Sequence, residues 1–213
     1  MANRLGGNSL SDLIVFGERS GRGAFDYVRA LGATPKASDD DVRDAFRRAT
    51  EPLRRDGGEN PYVLHEELQA LMDSHVGIVR NAGELTEGIE KLVTLARRVE
   101  SVKAHGASQY NPGWHEALSM RALVTVSEAV ARAALEREES RGAHTRVDFE
   151  NEREEWLKYN VVVKRGADGK MQVRRVERPA GPPELVRIAK SSIEDLDREV
   201  AAEREGVAAK GKS

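Results

Sequence analysis

The residues best suited to chemistry open the chain, in "ANRLGGNSLSDLIVFGERSG". Arg4 carries a planar guanidinium whose fork matches a carboxylate, and each charge-assisted hydrogen bond it makes contributes about 1.5–3 kcal/mol. Gly6 and Gly7 let the backbone approach a ligand closely, and Asn8 and Ser9 then start a helix whose first N–H groups have no partner inside it. Such an end favours negative charge. Phosphate is the usual guest. A flavin ring is another, because its reduction builds negative charge around N1 and the C2 carbonyl. An arginine fork beside that helix start suits a carboxylate substrate lying against a flavin. The same residues also read as an ordinary turn into a helix, and their spacing is compatible with both.

Other groups are less suggestive. His65, Glu66 and His75 share one helical segment, but ten residues separate the histidines and "HEELQ" lacks the second histidine of an HExxH zinc site, so no metal centre is expected. Trp114 and Trp156 stand at helix boundaries and read as core anchors rather than stacking platforms. Cysteine is absent, so the chain offers no thiolate to an iron–sulfur cluster or a structural zinc, and any redox metal is expected in another chain.

The elements that must position these residues read as helical. Of 213 residues, 39% are hydrophobic, the mean hydropathy is -0.58, and no apolar run approaches the roughly 20 residues of a membrane span. The opening residues lack a basic start followed by an apolar stretch, so no secretory signal is expected. Lys+Arg 34 against Asp+Glu 36 leaves a net charge of -2, which gives a nucleic-acid partner little support.

Ser9 to about Leu31 reads as a first helix in which Leu13, Ile14, Val15 and Phe16 cover every side of one turn. A helix that is apolar all round is normally buried on all sides, and a short helix at a chain start cannot arrange that by itself. Ser38 followed by Asp41 resembles a capping box for a helix to about Arg54, and Asn60-Pro61 supplies an N-cap and N1 proline for the next. There Leu64, Leu68, Leu71, Met72, Val76 and Val79 mark one face. Leu85, Ile89, Leu92, Ala96 and Val99 repeat along a third long helix ending near 104–106. A fourth runs from His115 to about Glu139, with Leu123, Val126, Val130 and Ala134 expected toward the interior. Short polar loops between these long helices favour an antiparallel bundle. "YNVVVKRGADGKMQVRRV" then changes the period and reads as a β-hairpin. After the linker "RPAGPP", a charged helix from about Glu184 to Glu203 reads as a solvated face, with docking against a neighbouring subunit as the sharper alternative. The Gly/Ala/Lys tail beyond it reads as disordered. The expected fold class is therefore mainly α: an antiparallel helical bundle of three long helices plus flanking helices, with a small C-terminal β-hairpin.

Four segments carry a resemblance. The opening loop and helix are similar to those closing the FAD-binding domain in flavoprotein subunits of succinate dehydrogenase and fumarate reductase. "ALEREESRGAHTRVDF", Ala134 to Phe149, resembles that family's R-x-E-S-R-G-A-H segment, with "EEWLKYNVVV" matching the strand that follows, and "HEELQALMDSHVGIVRN" fits its helical C-terminal domain. The resemblance runs to about residue 178. It implies that Arg4 binds the dicarboxylate substrate and that the backbone at Ser9 and Leu10 contacts the flavin ring of FAD. The family's nucleotide fingerprint, its covalent histidine and its proton-shuttling arginine have no counterpart in this chain, so no catalytic residue is assigned here.

The chain is accordingly expected to be the C-terminal third of a larger subunit, with Met1 an artificial or alternative start. Residues 1–33 would be a remnant of the FAD-binding domain, 34–140 the helical bundle, 141–178 a segment with the hairpin, and 179–213 the linker, charged helix and tail. The implied parent reaction is hydride transfer between succinate or fumarate and FAD, with electrons passing to an iron–sulfur subunit. Membrane anchor subunits would hold the complex on the inner face of the cell membrane, and this chain alone is expected to be inactive. In "SRGAH", where a glycine stops a long helix, Arg141 and His144 could serve an anionic substrate; the reading adopted is that they bond carbonyls at the helix end and brace the flavin domain. Two rivals stay open: an L-aspartate oxidase-like flavoenzyme fragment, and a helical interaction module that no longer binds flavin.

Overall fold

Side-chain caps set where the helices begin. The computed structural model describes residues 8–210 and contains α1 (Asn8–Ala30), α2 (Asp39–Arg54), α3 (Pro61–His75), α4 (Ala82–Val99) and α5 (Pro112–Glu136). Ser38, Asn60, Asn81 and Asn111 each accept a hydrogen bond from a first-turn N–H, those of Asp41, Tyr62, Glu84 and Trp114, at 2.9–3.1 Å. A cap of this kind stabilises a helix by about 1 kcal/mol. The Asn81 and Asn111 caps start α4 and α5 about three residues earlier than the apolar pattern alone suggests.

Helices α3, α4 and α5 form the bundle. Leu64 and Leu68, Leu85, Leu92 and Leu95, and Met120 and Val124 meet in its interior, each buried. Burying one such side chain contributes about 1.5–3 kcal/mol. The antiparallel arrangement of α3 and α4 is marked at both ends. Arg98, near the end of α4, forks Glu59 and Glu67 beside the start of α3, each at 2.6 Å. At the other end Gly88 lets the helices close up, since a Cβ there would sit 2.8 Å from that of His75. Trp114 is partly buried against this core, and its indole N–H donates to the Ala49 carbonyl at 2.7 Å, tying α2 to α5. Trp156 is fully buried, as a core anchor should be.

The structure departs from the sequence reading in four places. Helix α4 stops at Val99, and the following segment turns to lay Val102 and Ala104 into the core. On α5 the stripe Leu123, Val126, Val130 is exposed, at 36%, 61% and 41%, whereas Ala117, Met120, Val124, Ala131 and Ala134 face inward. Helix α5 is apolar on more than one face, and close packing selects the narrower side chains. Val79 leaves the α3 face because that helix ends at His75; it enters β1 (Val79–Arg80), which pairs in parallel with β2 (Thr145–Arg146). Finally, the charged helix is two.

A 3₁₀ turn (Glu154–Lys158) leads into the expected hairpin, β3 (Tyr159–Arg165) and β4 (Met171–Glu177). Gly169 adopts φ +78° in its loop, a conformation costly for any residue with a side chain. The chain divides into two compact units, residues 1–176 and 177–213. The second holds α6 (Pro183–Lys190) and α7 (Ile193–Lys210), divided where the Ser192 hydroxyl accepts from Asp195 N–H at 3.1 Å and opens a new helix. Arg187 bonds Glu199 across the two at 2.6 Å.

Candidate functional site

Of the residues expected to bind substrate and cofactor, Arg4 lies outside the described residues, as do Gly6 and Gly7. Ser9 and Leu10 occupy the first turn of α1, Ser9 half-buried and Leu10 exposed. That turn contains no acidic residue, so its N–H groups and the helix dipole face outward without a carboxylate of their own to neutralise them. A first turn of this kind leaves the dipole available to a negatively charged group.

The rest of α1 presents apolar surface to solvent. Leu13, Ile14, Val15 and Phe16 are all exposed, with Phe25, Tyr27 and Val28 about three turns further on. Three glycines interrupt the same helix, each costing about 0.8–1 kcal/mol relative to alanine in a helix interior. Nothing lies within 4 Å of where a Cβ would stand at Gly17, Gly21 or Gly23, so no described residue uses the room they leave.

The "SRGAH" segment builds a clasp at the opposite end of the bundle from the Glu59–Arg98 pair. Gly142, at φ +60°, makes the tight turn by which Arg141 and His144 exchange backbone hydrogen bonds of 2.8 and 3.0 Å. His144 does bond the end of α5: its Nε2 lies 3.0 Å from the Arg137 carbonyl, and its Nδ1 lies 2.9 Å from the Arg80 guanidinium. An arginine only donates, so Nδ1 must accept and Nε2 must carry the proton. Burial first, with the charges of Arg80, Arg146 and Arg137 added, lowers the His144 pKa and outweighs the opposing bond to Arg137, which keeps the ring neutral.

Arg141 does something other than expected. It turns away from the α5 carbonyls to Glu139, with bonds of 3.0–3.2 Å, and to Glu152 at 2.8 Å. The carbonyls of Ala134, Leu135 and Arg137 are taken instead by Arg146, buried to 1% exposure, at 3.0, 3.1 and 3.3 Å. The same guanidinium grips Asp148 with two bonds of 2.7 Å, and Asp148 accepts from Ala82 N–H at 2.9 Å. One ion pair thus joins a cation to the C-terminus of α5 and a carboxylate to the N-terminus of α4, the sign each helix dipole prefers. Arg146 holds the Asp148 carboxyl well down, to about 2, against the opposing effect of burial. Glu139 is fully buried. Burial raises its pKa, but Arg141, the Arg153 N–H at 3.0 Å and Arg137 at 2.5 Å more than offset that and hold it at about 2.

Arg146, Asp148, Glu139 and Arg80 were not singled out in the sequence. The signal available was the alternation of arginine with acid between Arg137 and Arg153, which shows charge pairing without saying which partners meet. Within the clasp Glu139, Arg146 and Asp148 are each charge-paired, while Arg80 bonds the His144 ring and the carbonyls of Val76 and Gly77, contacts that tie the ends of α3, α4 and α5 together.

His65 and His75 do not come together. His65 approaches Glu116 of α5 at 2.5 Å, although at an angle that leaves the carboxylate oxygen without a hydrogen bond. His75 lies between Ser74, at 2.6 Å, and Lys91 of α4, at 2.9 Å. No metal-binding cluster of these residue types exists among the described residues.

Comparison with known proteins agrees with the fold. The family model described as fumarate reductase flavoprotein C-term matches residues 65–198. The fumarate reductase flavoprotein subunit of Mycobacterium tuberculosis is 34% identical over 179 residues, covering 81% of this chain and 31% of that protein. The succinate dehydrogenase flavoprotein subunit of Coxiella burnetii is 35% identical over 167 residues, or 78% of this chain and 28% of its own length. Among solved structures, the Mycobacterium smegmatis Sdh1 complex in the apo form superposes with a TM-score of 0.82 at 43% identity, over 92% of this chain and 34% of the matched one. The chain spans about a third of the length of the relatives it matches.

Proposed function

Because the chain belongs to the family of succinate dehydrogenase and fumarate reductase flavoprotein subunits, at their C-terminal part, we propose that it completes the flavin and dicarboxylate site of such a subunit and contributes the helical domain behind it. FAD, when bound, supplies the acceptance or donation of hydride at the succinate–fumarate carbon pair. In this reading Arg4 clamps one substrate carboxylate through its guanidinium fork. The backbone N–H groups at Ser9 and Leu10 face the flavin edge where charge develops. Residues 1–33 belong with the flavin domain, and the bundle follows them in the chain.

The observation that carries the reading is α1. Its exposed Leu13, Ile14, Val15 and Phe16, with glycines that nothing in the described chain exploits, form a surface made for a closely packed neighbour. A flavin domain lying against it would bury that surface and bring the Arg4 loop to the ring. Electrons would then pass to an iron–sulfur subunit, in keeping with a chain that has no cysteine. No helix among the described residues is long and apolar enough to cross a membrane. Attachment to one would come through membrane anchor subunits, with the chain on the inner face of the cell membrane.

The test joins the missing flavin domain upstream and compares succinate oxidation in the wild type and Arg4→Lys. Lysine keeps the charge and loses the fork, so turnover should fall by about 100-fold, the scale of losing a positioning clamp, with flavin retained. Unchanged turnover would remove Arg4 from the site. The isolated 213-residue chain is expected to be inactive in the same assay.

A further inference from the structure

Between α4, α5 and the β3–β4 hairpin lies an open groove of about 820 Å³ that neither the flavin reading nor the clasp uses. Its floor is apolar, made by Val93, Ala96, Ala129, Val163 and Met171. Its walls are basic. Six arginines and lysines line it against two glutamates, in a chain whose overall charge is -2. Both glutamates are already spoken for: Glu100 pairs with Arg121, and Glu128 with Arg132 at 2.7 Å. Arg97 on α4 and Lys164, Arg165 and Lys170 at the tip of the hairpin make no side-chain ion pair among the described residues.

We propose that this groove docks an acidic segment of a partner polypeptide, one in which carboxylates alternate with small apolar side chains. Charge complementarity argues for the acidic character: four unpaired cations crowd one concavity and repel one another until counter-charge arrives. The distribution argues for an extended occupant over a compact anion. The free cations rise from two different walls, the helix and the hairpin tip, with apolar floor between them, whereas a phosphate needs several donors converging on one point. An extended, strand-like segment, its valine or alanine side chains turned to the floor and its alternate acids turned out toward the cationic walls, would satisfy both walls and cover Val93, Ala96 and Met171 together. The inference rests on this surface alone and is independent of the flavin reading.

The experiment uses the full 213-residue chain and a fluorescein-labelled peptide of alternating glutamate and valine, with a lysine–valine peptide as charge control. Saturable binding of the acidic peptide alone is expected. It should weaken about 10-fold or more in K164E/R165E, and weaken steeply as salt rises toward about 1 M, where screening falls to about 3 Å. Unaltered binding in K164E/R165E would place the peptide elsewhere and overturn the proposal, as would no binding at all. Inorganic phosphate or phosphatidylserine vesicles displacing the peptide at comparable occupancy would also overturn it, in favour of a compact anion or a lipid surface. The hairpin tip is exposed, so the charge reversal leaves the core intact, and an unchanged far-ultraviolet circular dichroism melt verifies this.

Discussion

The two ends of the bundle's story are α1 and the clasp, and they treat their polar and apolar groups in opposite ways. At the clasp every buried charge has found its counterpart within the chain: Glu139 with three donors, Arg146 with Asp148 and three carbonyls. On α1 a run of four consecutive large apolar side chains has found none. Burial of Arg146 and Glu139 is costly unless fully compensated, so a sequence that keeps them has been shaped around that one local arrangement. Exposure of Leu13 and Phe16 is costly in a different currency, solubility, and makes sense only for a surface meant to be covered. Residues 39–176 bury a core of their own, whereas the apolar turn of α1 stays exposed.

Breaking the self-sufficient end should have the largest effect. Glu139→Ala removes the carboxylate that gathers Arg137, Arg141 and the Arg153 N–H, and leaves those donors facing a cavity. Loss of one member of a buried ionic network costs about 3–5 kcal/mol, and because Arg137 and Arg141 reach partial solvent the lower end applies. Urea denaturation followed by circular dichroism reads this directly. An unfolding free energy within about 1 kcal/mol of wild type, well inside the ordinary range for point variants, would mean that the clasp does not hold the bundle.

Acid should open the same end by degrees. The His144 pKa is lowered in the folded chain, so between its ordinary value of 6.5 and that lowered value the unfolded state binds more protons and stability falls as pH falls. Glu139 and Asp148 take over below about 4.5 and 3.8, and their contribution is lost as pH drops through about 2. Denaturation midpoints should therefore be highest near neutrality and decline in two stages. The second stage should be shallower in Glu139→Gln, which has no proton to gain there. An identical acid slope in that variant would assign the stage to other carboxylates.

How much of this the sequence discloses differs between the regions for a physical reason. Helix existence, the Ser38 and Asn60 caps, the hairpin and the exposure of α1 follow from local rules: periodicity, cap chemistry, and a turn apolar on every side. The inward face of α5 does not, because Leu123, Val126 and Val130 repeat as regularly as Met120, Val124 and Ala131, and only the shape of the neighbouring helices decides between them. The clasp is harder still. Arg141 and His144 look alike as helix-end partners, yet Arg146 takes the carbonyls, because the β1–β2 pairing turns its side chain under α5. Glu139 falls in the R-x-E-S-R-G-A-H stretch, yet nothing local in the sequence marks it as buried where the acids around it are half-buried or exposed. Long-range pairing, not residue type, makes it a buried centre, and the loop at Arg4, for which the resemblance implies substrate binding, lies outside the described residues altogether.

The smallest effect on stability is expected at α1, and it sharpens the comparison most. Leu13→Ser with Phe16→Ser removes two large exposed side chains from the helix face that the proposed flavin domain would cover. Since neither is buried within the chain, the unfolding free energy should change by no more than about 0.5 kcal/mol, the ordinary range for a surface site. A helix of 23 residues with three interior glycines and no packed face is marginal in water, so amides from residues 9 to 20 should exchange hydrogen quickly in the wild type. Two readouts then separate the possibilities. Sedimentation should show weak self-association in the wild type that the double serine variant abolishes, since exposed leucine and phenylalanine are what a second copy would bury. Strong exchange protection of residues 9–20 in a monomer would instead mean that α1 has found its cover inside this chain, and the contrast with the clasp would be gone.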